Sequence, residues 1–69
     1  MKYIVIEIQN DGNQMAHLFD AFDDENQARS KYYTILAAAA VSKLKAHTAL
    51  LCDEYGGIYE SRCFRHEEE

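Results

Sequence analysis

Apolar and polar positions divide the chain into five segments. Residues 2–9 (KYIVIEIQ) are rich in β-branched side chains and alternate with period two, which predicts a strand. Ile4, Ile6 and Ile8 share one of its faces and are the expected core side. Tyr3, Val5 and Glu7 share the other, where Tyr3 and Val5 leave an apolar patch. Residues 10–13 (NDGN) are a turn signal, because Asp-Gly favours the positive-φ positions of a tight hairpin. Residues 14 to about 19 then return as an antiparallel strand. Met15, His17 and Phe19 lie on one side of it and Ala16 and Leu18 on the other, and the pattern does not choose between them.

A helix is predicted from about 24 to 43, with Asp23 or Asp24 as N-cap and Lys43 and Lys45 at its negative end. Its apolar residues occupy more of the circumference than one sheet can cover. Tyr33, Leu36, Ala37, Ala40, Val41 and Leu44 follow the i, i+3, i+4, i+7 spacing of a buried stripe. Tyr32, Ile35, Ala39 and Ser42 form a second, narrower stripe beside it, and this surplus points to a partner surface. Residues 46–53 resume extended structure, with Thr48, Leu50 and Cys52 on one face and His47, Ala49 and Leu51 on the other. Residues 54–57 turn, 58–65 form the last strand, and 67–69 are an acidic tail.

The expected fold is α+β: a ββαββ domain over 1–66, with two hairpins in one four-stranded antiparallel sheet and the long helix packed on one face. A helix about 10–12 Å wide cannot cover four strands spaced ~4.8 Å apart. Apolar residues therefore remain on surfaces that a lone chain would leave wet. Those expected to form an interface are Tyr3, Val5, Tyr32, Ile35, Ala39 and Tyr59. Tyrosine suits such a surface because it joins a large apolar ring to a polar tip.

Length sharpens that expectation. A chain of 69 residues buries only about 60% of its unfolded surface, so self-association is the natural supplement to its core. A C₂ dimer is the simplest form. The hairpin register sets Cys52 opposite Ile58 or Tyr59 and Cys63 opposite His47 or Thr48, which keeps the two thiols apart and free.

Seven Lys and Arg against twelve Asp and Glu give a net charge of −5, with the basic residues scattered. This disfavours binding to nucleic acid or to an anionic membrane. Asp20, Asp23, Asp24 and Glu25 form an acidic cluster at the helix start, read mainly as capping and also able to steer a basic partner. The apolar run 35–41 is too short to span a bilayer, and Met1-Lys2 leads straight into a strand without a cleavage site. A cytoplasmic protein with reduced thiols is expected.

Candidate chemistry is sparse. His17, His47, His66, Cys52 and Cys63 match no metal-ligand spacing, so no metal or cofactor is expected. The glycines fall in turns, no Ser-His-Asp order stands out, and the chain has little room for a water-excluding pocket, so no catalytic residues are assigned.

The opening MKYIVIEIQ, the helix SKYYTILAAAAVS with His47 soon after it, and the closing CFRHE resemble a group of small uncharacterised proteins of gut Firmicutes and their phages or prophages. The resemblance implies a phage- or mobile-element-encoded accessory protein and carries over no catalytic residues. The expected function is a homo-oligomeric, non-catalytic module that binds a protein partner. The alternative is a binder of small, nucleotide-like ligands with a pocket between subunits.

Overall fold

A computed structural model of the protein describes residues 1–66; the acidic tail expected at 67–69 lies outside the described residues. The chain forms β1 (Tyr3–Asn10), β2 (Met15–Phe22), α1 (Glu25–Ala40), β3 (Ala46–Asp53) and β4 (Ile58–Arg65). All neighbouring strands are antiparallel, in the order β2-β1-β3-β4, and the helix lies across one face of the sheet. The ββαββ expectation is met. The strand order, which the sequence left open, makes β1 and β3 central.

Both turns are set by short polar residues with a glycine in the left-handed region. In the first hairpin Gly12 takes φ +98°, and the Asp11 carboxylate accepts the amides of Asn13 and Gln14 at 2.8 Å each. In the second, Gly56 takes φ +89°, and the Asp53 carboxylate accepts the amides of Tyr55 and Gly57 at 2.9 Å. Cys52 pairs with Ile58 and Cys63 with Thr48, as expected, and both thiols are free. A bulge at Leu51/Cys52 turns Tyr59 toward the helix side of the sheet, where its hydroxyl donates to Asp53 Oδ2 at 2.8 Å. Its ring lies 6.0 Å from that of Tyr3.

Asp24 caps the helix, accepting the Gln27 amide at 3.1 Å. The helix stops at Ala40, one turn earlier than its apolar run suggests, so Lys43 and Lys45 lie beyond its last turn. The terminal carbonyls are satisfied locally instead. Val41 and Ser42 donate their amides to Ala38 and Ala39 at 3.3 Å, and His66 Nε2 reaches the Ala39 carbonyl at 2.7 Å.

The buried faces of strand and helix are the reverse of those expected. The core consists of Val5, Ala28, Tyr32, Ile35, Ala49 and Leu51, with Tyr3, Phe22 and Leu36 packed at its margin. The helix buries the Ala28-Tyr32-Ile35-Ala39 stripe, while Tyr33 and Val41 of the broader stripe are exposed. Alanine explains the choice. Ala28, Ala39 and Ala49 have no exposed surface, so helix and sheet approach closely around Tyr32 and Leu51. Tyr33 lies beside the Tyr32 ring at 5.5 Å and sends its hydroxyl to Glu60 on β4 at 3.2 Å, which anchors it at the rim.

Leu51→Ala should therefore destabilise the protein by ~2–5 kcal/mol, whereas Val41→Ala should stay within ~0.5 kcal/mol. Urea denaturation midpoints test the ranking; equal effects would contradict this choice of helix face.

Candidate functional site

Four of the six residues expected at an interface are inside the single chain. Val5, Tyr32, Ile35 and Ala39 belong to its own core, at most 6% exposed, and cannot meet another molecule. Tyr3 is half-buried against that core, and Tyr59, 39% exposed, is held by Asp53 at the second hairpin. The physical reason is the face inversion: both surfaces expected to stay wet were turned toward each other.

The uncovered surface is the opposite side of the sheet. Because Val5 and Leu51 face the helix, Ile4, Ile6 and Ile8 face away from it. Register partners share a face, so Phe19 and Leu50 flank Ile6, Ala21 and Cys52 flank Ile4, and Ile58 follows beside Cys52. No element covers this side among the described residues. Phe19 is 66% exposed and Ile58 61% exposed, and the central isoleucines are half-buried only by their own sheet neighbours. Four strands ~4.8 Å apart, each eight residues long at ~3.3 Å per residue, present on the order of 500 Å² in projection. The alternation groups Ile4, Ile6 and Ile8 on one face as expected, but that face is the uncovered one and not the core, and Val5 on the other face is buried.

The acidic cluster is largely engaged. Asp24 is the N-cap, Asp23 pairs with Lys2 at 2.6 Å, Glu25 with Arg29 at 2.9 Å, and Asp20 with Lys31 at 3.7 Å. Arg29 also pairs with Glu60 on β4. Of these pairs, Lys31–Asp20 and Arg29–Glu60 join the helix to β2 and β4, and surface pairs of this kind each hold little energy on their own.

One constellation was not legible in the sequence. His47 is buried on the helix side of β3, between Glu7 Oε2 at 2.6 Å from Nε2 and Ser42 Oγ at 3.2 Å from Nδ1. Nε2–H donates to the carboxylate, and the Ser42 hydroxyl is the hydrogen-bond partner of Nδ1. Burial raises the Glu7 carboxyl, but hydrogen bonds from Gln9 and His47 and the nearby His47 and Lys31 charges outweigh it and hold the group below its ordinary 4.5. Lone Glu7 in an apolar strand and lone His47 in another are the only signals, and only the β1–β3 register reveals that they meet.

The arrangement has the outline of a hydroxyl–imidazole–carboxylate relay. Its surroundings suit a structural tie better. Ser42 follows the carbonyl end of a helix, where the dipole opposes a developing negative charge. The Val41 and Ser42 amides are both committed to helix carbonyls and cannot form an oxyanion hole. Burial, and then the Asp53 charge, raise the Cys52 pKa, which opposes a reactive thiolate there.

A recess of about 70 Å³ lined by Gln9, Asp11, Gln14, Ala16 and Leu44 lies near the first hairpin. It is well below the ~300 Å³ at which small-molecule sites begin. Among the described residues no three His, Cys, Asp or Glu side chains converge, and no helix is long and apolar enough to cross a membrane. Comparison with protein-family models, curated proteins and solved structures gives no match.

Glu7 sets a pH dependence. A carboxyl whose folded pKa is depressed contributes stability above its unfolded value, here near 4.5, and loses it as pH falls through the folded value. From about pH 5 downward the wild type should lose denaturation midpoint more steeply than Glu7→Gln. Parallel pH profiles would show that Glu7 and His47 do not interact as described.

Proposed function

We propose that this protein is a small non-catalytic interaction module that pairs with a second copy through the helix-free face of its sheet and acts by binding a protein partner. The observation that carries the reading is the row Ile4, Ile6, Ile8 in the central strand with Phe19, Leu50 and Ile58 around it and no helix above. A second copy is the occupant that fits. Two such faces stack as a sandwich ~10 Å apart, and the projected area approaches the ~800 Å² per partner of a standard interface once side-chain relief is counted.

If half of ~500 Å² on each copy is apolar, ~25 cal/mol per Å² gives roughly 12 kcal/mol, comparable with the whole stability of a small domain. That gain must offset association costs of ~4–15 kcal/mol, so the dimer is expected to respond to concentration. The committed amides beside Ser42 favour this reading over catalysis. If the resemblance to proteins of gut Firmicutes and their phages holds, the partner is a virion component or a host factor.

Light scattering at tens of micromolar protein should give at least twice the 7.9 kDa chain mass. Ile6→Lys places a charge at the centre of the face without entering the helix-side core, and should lower the mass while the circular dichroism spectrum is kept. An unaltered mass in a folded Ile6→Lys protein would remove this face as the contact.

A further inference from the structure

The two edges of the sheet are built differently. Edge strand β4 carries Glu60, Arg62 and Arg65 and is interrupted by the bulge at Leu51/Cys52, both of which discourage further strand pairing. Edge strand β2, MAHLFDAF, has eight residues in unbroken register with β1 and contains no Lys, Arg or Pro. Its side chains are exposed on both faces: Leu18 is 54% exposed on the helix side, and Phe19 66% and Met15 70% on the other. Its one carboxylate, Asp20, is paired with Lys31 of the helix at 3.7 Å, and a long, mainly apolar edge of this kind is one that natural proteins normally protect or pair.

The hydrogen-bond phase shows which backbone groups are free. The Asp11 amide bonds the Gln14 carbonyl at 3.2 Å, so 11 and 14 form a bonded pair. Bonded and non-bonded pairs alternate along an antiparallel ladder, so Ala16, Leu18 and Asp20 also bond toward β1. Met15, His17, Phe19 and Ala21 then aim both N–H and C=O away from the sheet. The same phase predicts that Lys2 and Glu54 bond each other across β1 and β3, and the Glu54 amide does meet the Lys2 carbonyl at 3.1 Å.

We propose that β2 pairs antiparallel with β2 of a second copy about a two-fold axis perpendicular to the sheet. Met15, His17, Phe19 and Ala21 supply the bonding backbone groups. The self-pairing is favoured over β2 against β4 because β2 is the less guarded edge, with no basic residue and no bulge, and because an isologous contact closes whereas a head-to-tail one propagates. The axis keeps both helices on one side, brings the two Leu18 side chains near each other, and extends the helix-free face from four strands to eight. This contact does not depend on the face-to-face contact proposed above. Together the two would assemble four copies with the helices outward.

Amide hydrogen exchange of the unaltered protein tests the edge directly. Phe19 and Ala21 amides should be protected ~100-fold or more relative to an unpaired edge. Exchange at the rate of an exposed peptide overturns the proposal. His17→Pro removes an outward N–H while breaking no bond to β1, so it should abolish that protection and halve the mass. If the variant unfolds, the exchange rates of the unaltered protein decide alone. A mass that falls in Ile6→Lys but not in folded His17→Pro overturns the edge pairing and leaves the face contact; the opposite result supports the edge pairing and removes the face contact.

Discussion

Close packing of one helix on two central strands is the constraint from which the rest of the structure follows. Ala28 and Ala39 bring the backbone of α1 down onto β1 and β3, and Tyr32 fills the space beside Val5 and Leu51. A helix is about as wide as two strands, so a third and fourth strand must extend beyond it. β2 and β4 are therefore the exposed elements, and the reverse side of the sheet has nothing of its own chain to rest on.

That constraint explains which features the sequence revealed. Period-two segments, turn residues at 10–13 and 54–57, and an acidic N-cap define the elements locally and give their order, although β2 runs on to Phe22, taking in Asp20, and α1 ends at Ala40, three residues short of the expected end. The second turn narrowed Cys52 to Ile58 or Tyr59 and Cys63 to His47 or Thr48; the bulge at Leu51/Cys52, which the sequence does not show, decides for Ile58 and Thr48. The choice of face was not legible. β1 is apolar on both sides, and α1 has two adjacent stripes one residue apart, so periodicity marks two solutions. The decision rests on small buried residues from distant segments, Ala28 and Ala39 on the helix and Ala49 on β3, which no single window contains. The interface residues went astray for the same reason, since the helix and strand surfaces assigned to a partner satisfy one another.

The buried polar pair reinforces this choice. Glu7 on the helix side would be costly if unpaired, and reads as a solvent-facing residue until its partner is known. His47 meets it from β3, and Ser42 satisfies the other ring nitrogen where the chain leaves the helix. No buried side-chain polar atom is left without a partner among the described residues. The tie fixes the C-terminal end of the helix over the sheet at the end farthest from the N-cap, and so limits its slide along the strands.

The position of β1 between β2 and β3 also shapes how the fold is reached. Tyr3 lies beside Phe22 on one side and Asp53 on the other, so one edge of the strand closes locally and the other across fifty positions of sequence. During synthesis at ~5–20 residues per second, the first hairpin would wait some seconds for β3. In that interval its isoleucines and inner edge lack their native neighbours, and the nascent helix has only half a floor beneath it. A chain organised in this way completes its core late and all at once, with the closing of β1 on β3 as the slow, entropy-limited event.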